Sequence, residues 1–94
     1  MKKLEEVIVK REEIVEDPDE GFMALMGKPV ILFGVNYNYA GKLVGVNSTC
    51  VLLENGGIVF ETGEFSATKW KDFQVIGKKL YVQRSAIEAF IEGK

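Results

Sequence analysis

From Lys28 onward the chain is a succession of short apolar runs broken by glycine and asparagine, and this pattern limits the fold more than any other feature. Pro29-Val30-Ile31-Leu32-Phe33 is apolar and β-branched, as a strand requires. Asn36-Tyr37-Asn38 reads as a turn or bulge. Tyr39 to Val46 alternates, with Tyr39, Gly41, Leu43 and Gly45 on one parity and Ala40, Lys42, Val44 and Val46 on the other, which is the period of a strand with two different faces. Asn47-Ser48 predicts a second turn and Thr49 to Glu54 the next strand. Asn55-Gly56-Gly57 reads as a tight turn or bend, because asparagine and glycine accept positive φ, and Ile58 to Thr62 returns to strand. Gly63 to Gly77 is expected to be irregular, with Phe65, Trp70 and Phe73 inside it. Lys78 to Gln83 predicts a further strand, Ser85 a short turn, and Ala86 to Ile91 the last strand.

Ahead of this region, Asp17-Pro18-Asp19-Glu20 predicts a helix start: Asp17 can cap, Pro18 suits the first helical position and Glu20 follows the cap by three. Phe22, Leu25 and Met26 then share a face, and Gly27 ends the helix, whose expected role is to plug one end of a small barrel. Residues 1–16 are ambiguous. Leu4, Val7, Ile8, Ile14 and Val15 roughly follow a helical stripe and Lys and Glu dominate the rest, which favours helix; the β-branched run Val7-Ile8-Val9 leaves strand as the alternative.

Composition removes several function classes. The 94 residues contain no histidine and one cysteine, so the commonest general base is absent, no internal disulfide can form, and a structural zinc site has no ligand set. Cys50 lies beside Val51-Leu52-Leu53 and is expected to be a buried thiol, which fits a reducing, cytoplasmic setting. No apolar run is long enough to span a bilayer, and Met1-Lys2-Lys3-Leu4-Glu5-Glu6 lacks the apolar stretch of a signal peptide. The charge is uneven: residues 1–20 hold eight acids and four bases, the remainder six acids and eight bases, so an acidic stretch leads into a mildly basic remainder, and the chain divides into an N-terminal arm at 1–16 and a barrel domain at 17–94. Asp17, Asp19 and Glu20 lack the later ligands of a calcium loop, Gly41-Lys42 lacks the glycine spacing of a phosphate loop, and no nucleophile has a visible base beside it. The expectation is a binding protein without cofactor or metal rather than an enzyme.

Several strings resemble the Sm/Lsm/Hfq superfamily. Gly27, Val30 and Leu32, then Tyr39-Ala40-Gly41-Lys42-Leu43, then Asn47 at a turn and Val51-Leu52-Leu53-Glu54 are similar in layout to the first Sm motif, and Val82-Gln83-Arg84-Ser85-Ala86-Ile87 to the second. The resemblance spans about residues 18–91, with 55–78 where that family varies its long loop; the layout also resembles that of short phage-related and bacterial proteins. It implies an all-β fold: a five-stranded, strongly bent antiparallel Sm-like (SH3-like) barrel behind an N-terminal helix. It also implies closed homo-oligomeric rings of about five to seven copies joined edge to edge. Leu80, Tyr81 and Val82 on the fourth strand and Ile87 and Phe90 on the fifth would then lie at the subunit interface. Single-stranded RNA is the ligand the resemblance implies, near Asn47, Thr49, Arg84 and Ser85.

This chain departs from the motif where RNA would be read. The stacking position falls on Thr49, which has no π face, and the base-reading asparagine on Val51; Asn47 replaces an aspartate and Ser85 a histidine or glycine. A lost aromatic forfeits about 1–3 kcal/mol per stacked base. Arg84 keeps a guanidinium that can contact phosphate or simply sit on a turn. Lys69-Trp70-Lys71 with Phe65 and Phe73 forms an aromatic-basic loop, expected either to contact RNA or protein, or to fold back onto the sheet through its large side chains. Tyr37 is expected against a ligand or a neighbouring subunit, and Tyr39 in the core. Two further expectations stay open: an adaptor ring that binds protein partners, for instance in a phage-related particle, and a monomeric module with Tyr37, Tyr39 and Trp70 forming a peptide groove.

Overall fold

The computed structural model describes residues 21–94. The expected arm at 1–16 and the expected cap at Asp17 to Glu20 lie outside the described residues. The chain enters through a short helix, α1 (Gly21–Ala24), and continues as five strands: β1 (Pro29–Gly34), β2 (Asn38–Val46), β3 (Cys50–Glu61), β4 (Asp72–Gln83) and β5 (Ile87–Glu92). A single 3-10 turn, Arg84–Ala86, joins the last two.

The strands form one antiparallel sheet in the order β4-β3-β2-β1-β5. Each of the first four pairs with its neighbour in sequence, whereas β5 crosses to the far side of β1, aligning Leu32 with Phe90 and Ile31 with Ile91. The sheet is therefore open: β4 and β5 are its two edges and do not pair with each other. The expected five antiparallel strands are present, but they do not close on themselves, because the Arg84–Ala86 turn sends the chain away from β4 and back beside β1.

Alternation along β1 explains the core. Val30 and Leu32 face one side with Leu43, Val51, Leu53 and Val82, all nearly inaccessible. Phe22, Leu25 and Met26 pack onto this cluster, and the Phe22 ring stacks on Phe90 at 3.9 Å. α1 passes into a turn over Leu25 to Gly27, and Gly27, at φ of 83°, donates its N–H to the Leu43 carbonyl at 2.7 Å, which docks the end of this segment on β2. Ile31 faces the other side with Ala40 and Val59, and there Phe33, Trp70 and Phe73 cover the sheet. Both faces of the sheet are thus buried at its centre, which accounts for the nearly unbroken apolar run of β1.

Two local expectations are corrected. Asn55-Gly56-Gly57 is not a turn between strands: β3 runs straight through it, with a register shift against β4 between Gly56 and Gly57 and Asn55 at φ of 53°. A Cβ on Gly57 would lie 2.0 Å from the Gln74 carbonyl oxygen, so glycine is there for close approach of two strands in a bulge. Residues 55–78 are accordingly not one loop. β4 begins at Asp72, and the irregular segment shrinks to 62–71.

Candidate functional site

The turns after β2 and β4 meet at one end of the sheet. Asn47 organises the first: its Oδ1 accepts the backbone N–H of Thr49 and of Cys50, each at 2.8 Å, and the Thr49 hydroxyl at 3.2 Å. This is the local side-chain bonding that makes asparagine a turn former. The Arg84 guanidinium donates to the Asn47 backbone oxygen at 2.7 Å, and the Arg84 N–H donates to the Thr49 carbonyl at 2.8 Å. The guanidinium carbon also lies 5.4 Å from the centre of the Phe22 ring. The structure thus gathers Asn47, Thr49 and Arg84 on an exposed surface, with Ser85 exposed in the adjoining turn. Val51 is buried in the core and offers nothing to that surface.

The loop of 62–71 returns onto the opposite face of the sheet. Trp70 is half-buried against Ile31, Ala40 and Val59, with the edge of Phe65 at 5.8 Å. Its ring is occupied on one side by the Lys94 ammonium, 4.5 Å from the ring centre. The same ammonium donates to the carbonyls of Thr62, Glu64 and Lys69 at 3.2, 2.6 and 3.1 Å. An ammonium has three N–H groups, so Lys94 satisfies three loop carbonyls at once and holds the segment against the sheet. Of the two expectations for this loop, folding back describes Trp70 and Phe73. Lys69 and Lys71 remain exposed, Lys71 within 3.6 Å of Glu61. Tyr37 is far from this group in role: it meets Tyr39 edge to face at 6.3 Å and is about half exposed.

Between this loop and the sheet lies an open cleft of about 570 Å³. Lys42, Lys69, Lys71 and Lys94 line it together with Glu54 and Asp72, and Trp70 and Phe73 form its aromatic part. The sequence pointed to Lys69, Trp70 and Lys71 but carried no signal for Lys42 or Lys94, which reach the cleft only through strand register and the return of the chain end.

The sheet edges hold the third group. Leu80, Val82, Ile87 and Phe90 turn their side chains into the core, and among the expected interface residues Tyr81 is the one that faces outward, 61% exposed. Val75 and Ile76 on β4 and Ile91 on β5 are outward apolar residues that the sequence did not single out, each more than half exposed. Charge differs between the edges: Asp72, Lys78 and Lys79 lie on β4, and Glu88 and Glu92 on β5, the last of these 4.0 Å from Lys28. Lys42, Glu54 and Lys79 sit opposite one another across β2, β3 and β4, a cross-strand row of alternating sign that ends on a cation at the open edge.

Among the described residues no group of three or more Cys, Asp or Glu side chains is placed to hold a metal ion, and no helix is long and apolar enough to cross a membrane. No protein-family model matches the chain, and comparison with curated proteins and with solved structures finds no match.

Proposed function

We propose that the chain is an Sm-like subunit that assembles edge to edge into a homo-oligomeric ring and serves as a binding scaffold. The observation that carries this reading is the pair of open sheet edges with opposite charge. An edge strand presents unpaired N–H and C=O groups, which is a liability unless another strand covers it. Here β4 offers Lys78, Lys79 and exposed Val75, Ile76 and Tyr81, while β5 offers Glu88, Glu92 and exposed Ile91. The Lys42–Glu54–Lys79 row would continue with an acidic residue of a neighbour's β5. Because the two edges differ, such contacts are head to tail and close into a ring when the rotation allows it. The helix followed by five sequential antiparallel strands agrees with the layout implied by the sequence motifs.

Native mass measurement tests the assembly. The expected result is a closed multimer that Lys78→Glu with Lys79→Glu reduces to monomer and that the further pair Glu88→Lys with Glu92→Lys restores. A wild-type chain that stays monomeric at high concentration overturns the ring.

RNA of altered or weak specificity is the ligand proposed for the surface around Asn47, Thr49, Arg84 and Ser85. An adaptor ring binding protein is the second reading, favoured by one observation: Arg84 is already engaged by the Asn47 carbonyl and the Phe22 ring. Titration with oligo-U and oligo-A at low salt separates them, since phosphate contacts are strongest there. Binding weakened by Arg84→Ala supports RNA at these turns, and no binding, or binding that Arg84→Ala leaves untouched, supports the adaptor reading of this surface.

A further inference from the structure

We propose that the cleft between loop 62–71 and the sheet is a separate binding site for a phosphate-bearing ligand. It lies beneath Trp70 on the face opposite α1, away from the Asn47–Arg84 turns. Three properties point to this ligand class. First, four lysines line the cleft against two carboxylates, so the surface retains a positive excess although the whole chain is net negative. Second, the cations have different tasks. Lys94 spends its N–H groups on loop carbonyls and braces the wall, and Lys71 has Glu61 nearby. Lys42 on the floor faces Glu54 across the strand register without an ion pair within 4.0 Å, Lys69 on the wall likewise forms none among the described residues, and their ammonium groups are placed to meet a ligand from two sides. Third, about 570 Å³ falls in the range of pockets that enclose a small organic ligand, and the lining combines aromatic surface at Trp70 and Phe73 with the Asn55 amide and the Thr68 hydroxyl. A compact multivalent anion attached to a flat body satisfies all three. Phosphate is the group recognised, and it can arrive on a free mononucleotide or on a nucleic-acid strand.

This inference does not depend on ring assembly. Trp70 is the sole tryptophan and lines the cleft, so its fluorescence reports occupancy directly. Inorganic phosphate, adenosine monophosphate and oligo-A of increasing length are titrated into the full chain at low salt. The expected result is a saturable change in Trp70 emission, weakened about tenfold, equivalent to roughly 1.4 kcal/mol, in Lys42→Gln with Lys69→Gln. The change is retained in Arg84→Ala, and also in Lys78→Glu with Lys79→Glu. Affinity that is already full with adenosine monophosphate identifies a free nucleotide, and affinity that rises with oligonucleotide length identifies a strand. No saturable change at millimolar adenosine monophosphate, or binding untouched by the Lys42 and Lys69 substitutions, overturns the proposal. Both substituted lysines are exposed, and an unchanged urea midpoint separates lost binding from lost folding.

Discussion

The backbone oxygen of Asn47 accepts a 2.7 Å hydrogen bond from the Arg84 guanidinium, which ties the β2–β3 turn to the β4–β5 turn. Asn47 works from both ends, because its side-chain oxygen holds the N–H groups of Thr49 and Cys50 while its main chain holds Arg84. The two turns are therefore one structural unit, and a substitution in either is felt in both.

The first prediction follows from this geometry. Asn47→Ala removes the acceptor for two backbone N–H groups and should cost about 1–2 kcal/mol, since the turn is exposed and water replaces part of the loss. Asn47→Asp keeps the acceptor and should lie within about 0.5 kcal/mol of wild type. Thermal unfolding resolves the two, at roughly 4–8 °C per kcal/mol for a domain of this size. Equal midpoints for Asn47→Ala and wild type would show that the turn holds itself without its side chain.

The second concerns the β3–β4 bulge. An alanine Cβ at Gly57 would meet backbone atoms of Gln74 and Val75 at 2.0 and 2.7 Å, and backbone cannot rotate aside. Gly57→Ala should destabilise by about 3 kcal/mol or more. At Gly77, on the partner strand, a Cβ meets nothing within 4 Å, and Gly77→Ala should change stability by less than about 0.5 kcal/mol. Urea midpoints for the pair check the contrast, and a mild Gly57→Ala would mean that the two strands can part cheaply.

That same glycine marks the boundary of what the sequence makes legible. The apolar alternation of β1 and β2 identifies Val30, Leu32 and Leu43 as core, because period-two patterning is a local property that burial then selects. Asn55-Gly56-Gly57 carries the local signature of a tight turn, yet a neighbouring strand decides its use, and no window of sequence contains that neighbour. Asn47 and Arg84 were each visible as turn residues, but their bond spans 37 positions. Lys94 was silent for the same reason: its partners at 62, 64 and 69 are brought to it only by the sheet.

The third prediction tests how α1 is held. Phe22 and Phe90 stack at 3.9 Å with an 18° interplanar angle, and the ring also lies under Arg84. A double-mutant cycle on Phe22→Leu and Phe90→Leu should return a coupling of about 0.5–1.5 kcal/mol, the range of an aromatic pair beyond its buried area. Coupling near zero would assign the contact to area alone. It would leave Gly27 and its 2.7 Å bond to Leu43 as the specific attachment of the helix.

The last prediction concerns Lys94. Its ammonium bonds three carbonyls of the 62–71 loop and lies 4.5 Å from the Trp70 ring, so one charged group links the chain end, the loop and the indole. Lys94→Met keeps much of the stem but removes all three donors and the cation above the ring. The carbonyls concerned are near the surface and can turn to water, so global stability should fall only modestly, by about 1–2 kcal/mol. The local consequence is larger. Without its brace, the loop opens at lower free energy than the sheet beneath it, and amide hydrogen exchange should accelerate across 62–71 while β1 and β3 keep their protection. Trp70 is the only tryptophan, so its emission should shift to longer wavelength as the indole becomes more exposed. Lys94→Arg retains the charge and several donors and should preserve both signals more closely than methionine does. Unchanged exchange and emission in Lys94→Met would place the anchoring of the loop in the apolar contacts of Trp70 and Phe73 with Ile31, Ala40 and Val59 instead.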